Sequence, residues 1–504
     1  MNAFLARTAK AVAGGLFVSA FLAACAVGPN YEKPAMPMTS FHNAQRVAER
    51  QTALPAPSLD NWWTGFDDPE LVKVVQRALD QNLGIQAAIA RVTQSRAAAQ
   101  AAGAQLLPTV DANASYTAEH QSQQSPLGTL ASAFPNYSRD QKDYVAGASA
   151  SWEIDLAGGL RRAHAQATDE EQAAEAAQMG TRVTVAADAA DAYLQIRGLQ
   201  AQLAVTADQV ETDAHLLQLV QARKQAGAAD EREVAQAEAL LRHARASQPD
   251  LRVALEAQLN RLDVLMGAQP GTYAAELGAH AGAIPAVPAI GSGDQPLDVL
   301  RRRPDIIAAE RHLAASNEAI GVAIADYYPK ISLAGALGFD SISGSHFLSA
   351  KSFQPVGTGA LQWRLFDFGK VDAEVKNARG SYAEALAQYR EAALKATEDV
   401  EDAFMALSQT ELRAQELQQE VAALTKAREL SEKAYRAGSI TLTDVLDADR
   451  QQLDARDALD ATRADAARAA VRTFRALGGG WAAPQQQVAQ TSPVSGEQLP
   501  GSAR

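Results

Sequence analysis

The groups best placed for chemistry lie in one stretch, Ala434–Arg450, which reads AYRAGSITLTDVLDADR. Asp447 and Arg450 stand three residues apart, so on a helix they share a face and can pair. Gly438 and the β-branched Ile440 and Thr441 interrupt an Ala-rich helical pattern, so the chain is expected to turn back here. Thr443 or Asp444 would cap the returning helix, whose first amides need an acceptor. The expected product is an antiparallel helical hairpin with a polar, carboxylate-bearing tip. The same turn occurs once before, at Gly227 in QARKQAGAADEREVAQAEA, 438 − 227 = 211 residues earlier. Enzyme chemistry has little to work with elsewhere. The eight His are scattered singly, without metal-ligand spacing. No nucleophile elbow or phosphate loop occurs, and the carboxylates follow helix-surface spacing. The chain is therefore expected to be no enzyme and to hold no metal or cofactor.

Those hairpins need long helices, and the composition suits them. Apolar residues make up 47% of the 504, but aromatics only 6%, and much of the apolar share is alanine. Alanine forms helices well and cores weakly, which favours long, closely packed helices over one wide core. The net charge of −13 comes with interleaved signs and no basic run, so nucleic acid is not an expected partner. The single Cys rules out an intramolecular disulfide. It ends an N-terminal signal: Arg7 and Lys10, an apolar run from Ala11 to Leu22, then Leu22-Ala23-Ala24-Cys25. The apolar run is too short to span a membrane. The pattern resembles a bacterial lipobox, which implies cleavage after residue 24 and a Cys25 carrying S-diacylglycerol and an N-acyl chain. Ala26, rather than Asp, follows the Cys, which in that pattern favours delivery to the outer membrane.

In order, residues 1–24 read as a cleaved signal peptide and 25–67 as a Pro-rich, extended, lipidated tether with an aromatic anchor at Asn61-Trp62-Trp63-Thr64-Gly65-Phe66. A first repeat spans 68–267, opening with Asp68 as a cap and Pro69 in the first turn, with a joint near Asn82–Gly84. Within it, residues ~109–119 and ~144–154 alternate apolar and polar residues with period 2, as amphipathic strands do. A long helix then runs to a tip at 225–230 and returns, with a kink or break expected at Pro249. A linker, 268–296, leads to a second repeat, 297–480, with strands at ~330–339 and ~357–366 and a tip at 436–443. Residues 481–504 are rich in Gln, Ser, Pro and Gly and are expected to be disordered.

The register supports a duplication. Trp152 and Trp363, Asp188 and Asp399, Tyr193 and Phe404, and Gly267 and Gly478 are each 211 apart. Pro108 and Pro329 differ by 221, so the first strand pair carries a longer loop. Four strands cannot close a barrel alone, and open sheet edges cannot face lipid. Several chains sharing one barrel resolves this, and Asp111, Asn113, Gln362 and Arg364 would then line water.

At this point the residues resemble a known family. The lipobox, NWWTGFDDPEL, WEIDLAGG and WRLFDFGK, RRRPDI, ADYYPKI and YRAGSITLTDVLDADRQQLDA occur in order over nearly all of residues 25–480. They resemble the TolC-like outer membrane factors, closest to the OprM-like lipoprotein branch (the NodT type) of resistance-nodulation-division efflux systems. The resemblance implies an α+β membrane protein, a homotrimer whose twelve-stranded outer-membrane barrel continues into a periplasmic tunnel of twelve helices. It implies a passive exit duct for drugs or other small molecules, with a periplasmic adaptor protein, an inner-membrane pump and outer-membrane lipid as partners. It places a periplasmic gate at Thr443, Asp447 and Arg450, with Asp444 as a further member. Relatives often have an apolar residue at the position of Thr443, so a hydrophobic ring there is in question. It places adaptor docking at Arg223 and Gly227 in the first tip and at Tyr435, Arg436 and Gly438 in the second. Trp152 and Trp363 read as interface-belt aromatics or as packing against the barrel base. Two other readings remain open: the duct of a type I protein secretion system, and a coiled-coil structural or adhesin lipoprotein.

Overall fold

Period-2 alternation at two sites in the chain produces one four-stranded sheet. The structure is a computed structural model that describes residues 26–36, 39–50, 54–135, 137–279, 283–291 and 296–482. The signal peptide, Cys25 and the tail beyond 482 lie outside the described residues. Strands β1 (Thr109–His120), β2 (Asp140–Ile154), β3 (Lys330–Ser341) and β4 (Val356–Gln362) pair antiparallel in that order. Residues directly opposite one another share a face. The register sets Val110 opposite Ala150, Ala150 opposite Gly335 and Gly335 opposite Gly357. In the same way Trp152 faces Leu333, Leu333 faces Gly359, and Ile154, Ile331 and Leu361 line up. One face is therefore apolar from edge to edge. The other carries Asp111, Asn113, Ser149, Ser151, Ser332 and Gln362.

The strands differ in extent from the sequence reading. β1, β2 and β3 run further toward the loops, with 12, 15 and 12 residues, while β4 has only 7 and stops at Gln362. The alternation of Trp363 and Leu365 continues, but the partner does not, because Lys330 is preceded by Pro329, which has no amide to offer. Arg364 accordingly lies beyond the strand, its guanidinium 3.8 Å from Asp326 and 4.0 Å from Glu374. Trp363 donates its indole N–H to the Tyr327 carbonyl at 3.0 Å, as Trp152 does to Leu106 at 2.9 Å. Each tryptophan pins the helix end of the sheet to the helix that leads into it.

Eleven helices carry the rest of the described residues: α1 (Ala44–Ala48), α2 (Pro69–Gln81), α3 (Leu83–Ala104), α4 (Pro126–Ala131), α5 (Gly159–Gln225), α6 (Glu231–Leu265), α7 (Ala274–Ala279), α8 (Pro296–Arg302), α9 (Pro304–Ala325), α10 (Lys370–Arg436) and α11 (Leu442–Ala476). The two long helices have 67 residues each and the two returning helices 35 each. Their starts and ends keep the repeat offset, 370 − 159 = 211 and 476 − 265 = 211. At 1.5 Å per residue, α5 and α10 each reach about 100 Å. Like ends have like causes. Asp155 accepts the Leu160 and Arg161 amides ahead of α5, and Asp367 accepts those of Gly369 and Val371 ahead of α10.

α6 is a continuous helix through Pro249. Pro249 and Arg245, whose carbonyl loses its amide, are both exposed, so water replaces the missing bond and no break results. The 268–296 linker is likewise not featureless. It includes α7, whose Glu276 accepts from Lys73 and Arg77 of α2.

α5 packs against α3, α6, α9 and α11, and α10 packs against α9 and α11. The widest core lies midway along the long helices. There Trp62, Phe66, Leu71, Tyr193, Ile196, Met266, Phe404 and Phe474 are buried together. Trp62 stacks on Phe474 with centroids 5.4 Å apart and planes 8° apart. The tether is thus part of the body: it forms α1 and the 3-10 turns of Leu59–Phe66. Trp481, placed by sequence in the tail, is also buried, and its carbonyl accepts from Arg302 at 2.7 Å.

The start of the described chain is clamped near the base of the sheet. The Val27 amide donates to the Ala157 carbonyl at 2.9 Å. Arg162 donates to the carbonyls of Val27 (3.2 Å) and Gly28 (3.3 Å) and to Asn30 Oδ1 (3.0 Å). Its other nitrogen meets Glu318 of α9 at 2.8 and 3.1 Å. Gly28, at φ +96°, lies against the Gly321 backbone, where a Cβ would come within 2.6 Å of Cα.

Candidate functional site

Both tips are built by the same turn. Gly227 and Gly438 each adopt φ +74°. The Ala228 amide reaches back to the Arg223 carbonyl at 2.8 Å, and the Ser439 amide to the Ala434 carbonyl at 3.0 Å. This closes the spare carbonyls of a helix end through a left-handed glycine. A Cβ on either glycine would meet nothing within 4 Å, so the turn needs glycine for its backbone angle and not for space.

The cap of α11 is not the one read from sequence. Thr441 is the N-cap, with Thr443 and Asp444 already inside the helix. Asp444 Oδ2 accepts the Thr441 amide at 2.9 Å and its hydroxyl at 2.7 Å. Thr-Leu-Thr-Asp is a capping box, and its register outcompetes a cap two or three residues later. The Thr441 hydroxyl and amide hold the Asp444 carboxyl below its ordinary range.

Thr443, Asp444, Asp447 and Arg450 are all exposed on one stripe of α11. Of these the structure pairs Asp447 with Arg450, at 3.1 Å. With side chains 53% and 61% exposed, the pair contributes under about 1 kcal/mol to stability, so it is free to exchange partners. The opposite face of α11 buries Leu442 and Val445 against Leu216, Val220, Ala237 and Tyr435.

The docking candidates divide by burial. Gly227, Arg436 and Gly438 are exposed and Arg223 is half-buried. Tyr435 is buried inside the hairpin pair. Its hydroxyl donates to Glu233 at 2.8 Å, and Arg223 lies 4.3 Å over its ring and donates to its carbonyl at 2.8 Å. Burial, reinforced by Glu233, pushes the Tyr435 phenol up to about 12. Tyr435 therefore joins the two tips and has no side chain to offer a partner.

Sequence reasoning missed a buried polar group further up the hairpins. Gln209 and Asp213 of α5 meet Arg428 of α10 and Asp449 of α11. Each carboxylate fits a helix-surface pattern in one dimension, and only the approach of three helices brings them inside. Among the described residues, no group of three or more His, Cys, Asp or Glu could hold a metal ion. No helix among them is long and apolar enough to cross a membrane.

A family described as "Outer membrane efflux protein" matches residues 74–268 and 296–479, the two repeats. The chain belongs to that family. It is 32% identical to the pyoverdine export outer membrane protein OpmQ of Pseudomonas aeruginosa over 438 residues, 86% of this chain and 90% of that one. It is 30% identical to nodulation protein T of Rhizobium leguminosarum bv. viciae, with 92% of each covered. Among solved structures it is similar to the outer-membrane channel OprN, with a TM-score of 0.81 and 32% identity over 91% of this chain and all of that one. As a member of this outer membrane efflux family, in its NodT/OprM-type branch, the chain is the outer-membrane exit duct of a resistance-nodulation-division tripartite pump. It works as a homotrimer with a periplasmic adaptor and an inner-membrane pump, its long helices in the periplasm. The family is one of passive channels, not enzymes.

Proposed function

We propose that the α10–α11 hairpin is the periplasmic gate of this duct, closing around Thr443, Asp447 and Arg450. The carrying observation is the exposed Asp447–Arg450 pair, which adds little to the fold yet sits on the solvent stripe of the returning helix. Three such pairs around the trimer axis form alternating charges that bind one another when close. When the pairs part, the carboxylates disfavour anions and attract cations, as charged rings do in channels. Thr443 on the same stripe makes the constriction polar. Asp444 serves mainly to cap α11 and joins the ring only at the cost of its bonds to Thr441.

Docking to the adaptor uses the exposed outer side of the tips, Gly227, Arg436 and Gly438, with Arg223 and Tyr435 setting the spacing between them. Cys25 carries the lipid anchor, one residue before a segment held at the base of the sheet. The solutes conducted are drugs or other small molecules, with selection left to the pump. Asp447→Ala with Arg450→Ala tests the gate: conductance in planar bilayers rises several-fold, and cells become sensitive to large antibiotics. Unchanged conductance of a correctly assembled trimer removes these residues from the gate.

A further inference from the structure

Asp213 and Asp449 are each 1% exposed; Asp213 lies about 18 Å up α5 from its tip end and Asp449 about 10 Å along α11 from its start, at 1.5 Å per residue. They come from different repeats, Asp213 from α5 and Asp449 from α11. Gln209 Nε2 donates to both, at 2.8 Å to Asp213 and 2.5 Å to Asp449. Arg428 of α10 donates to the other Asp449 oxygen at 2.8 Å. Asp213 Oδ2 is buried without a donor. Two carboxylates this close in a dry site cannot both stay ionised, so one holds a proton. Asp449 has the cation, and Asp213 is the acid. Burial, then the neighbouring Asp449, pushes Asp213 up to about 8.

The surroundings offer little other charge. α10 presents Arg428 and, 3.7 Å behind it, Glu432. α10 and α11 also bring Thr425 and Gln452, which bond each other at 2.8 Å. α6, returning beside α5, buries Ala237, Leu241 and Ala244. Arg428, the cation beside the pair, is thus already committed to Asp449.

We propose that Gln209, Asp213 and Asp449 form a proton-dependent latch that ties the second-repeat hairpin to the first. The latch is engaged while the two carboxyls share one proton and released when that proton leaves to solvent. Its effect on conduction rests on the α10–α11 hairpin being the gate. The sign follows from the carboxyl chemistry. The engaged form holds Asp213 neutral, whereas in the released form the group is hydrated and ionises in the ordinary range. Engagement is complete below that range, about pH 4, and is lost as pH rises through about 8. One proton per protomer shifts the ratio of engaged to released by at most about tenfold per pH unit.

The test uses the full-length lipidated trimer with spin labels on Glu211→Cys of α5 and Gln451→Cys of α11, both exposed. The label spacing should widen between pH 6 and pH 9 and stay fixed when Asp213→Asn is added, because the amide keeps a donor and cannot ionise. A spacing indifferent to pH, or the same widening with Asp213→Asn, overturns the latch. Bilayer conductance on the same samples separates the two readings. Widening accompanied by higher conductance supports both, and widening without it keeps the latch and rejects α10–α11 as the gate.

Discussion

Arg162→Ala cuts the clamp that holds the N-terminal segment. The side chain is 8% exposed and its partner Glu318 10%, so the loss leaves a buried, unpaired carboxylate. Breaking a buried ion pair in this way costs about 3–5 kcal/mol. The segment also loses three acceptor contacts at once, on Val27, Gly28 and Asn30, and keeps the Asn317 amide on the Pro29 carbonyl at 3.0 Å. That bond is neutral and supplies only about 1 kcal/mol. The Val27 amide, bonded to Ala157, should then exchange with solvent roughly two to three orders of magnitude faster, since each 1.4 kcal/mol is about tenfold. Hydrogen exchange read by mass spectrometry on the detergent-solubilised trimer measures this directly. Arg162→Ala combined with Glu318→Gln should recover part of the loss, because the stranded charge is gone. Exchange at Val27 that stays within a factor of three of wild type, with the trimer intact, would refute the reasoning. The segment would then be held by its other contacts, among them the Gly28 packing and the bonds of Asn317 and Ala157.

Trp62→Ala, which empties the site stacked on Phe474, should destabilise the body by about 3–5 kcal/mol, seen as a lower thermal midpoint of the trimer. Gly438→Ala forces a Cβ into φ +74° and should cost about 1–2 kcal/mol at the tip, with faster exchange confined to the turn; Gly227→Ala should match it. His312 is held above its ordinary value by its hydrogen bond to Glu170, at 3.0 Å. The α9–α5 link it makes is complete below about pH 6.5 and lost as pH rises through the raised value. An NMR titration should show that shift, and Glu170→Gln should remove it.

The fold class was legible because its two signals are one-dimensional. Val110, Ala112, Ala114 and Tyr116 alternate with polar residues because one face of β1 is apolar. Gly227 and Gly438 interrupt alanine-rich helix because the turn needs a positive φ. What escaped depends on a partner elsewhere in the chain. The end of β4 is set by Pro329 on the neighbouring strand, not by Trp363 or Leu365. The cap fell to Thr441 over Thr443 and Asp444 because only Thr441 has a carboxylate three residues on that reaches back to its amide. At Pro249 the sequence suggests a kink or break, and the helix runs on through it because the residue is exposed, which is not written in the sequence. Asp213 and Asp449 looked like surface charge because burial there takes three helices from two repeats. The tip stripe was placed by resemblance, and the structure adds the Asp447–Arg450 pairing and the burial of Tyr435.

The outermost strands of the sheet carry a consequence for biogenesis. β1 and β4 are paired on one side only, and β1 has 12 residues to the 7 of β4. A lone copy entering lipid would expose both rows of bare amides and carbonyls, so insertion has to wait for the ring to close. Membrane entry is then a three-body event whose rate rises steeply with copy number. Each seam where a β1 meets a neighbour's β4 has a ladder limited by the shorter strand, and the surplus of β1 projects toward the loops. A single copy damaged at either margin would spoil the whole ring, so such variants should be dominant in cells that also make the intact protein.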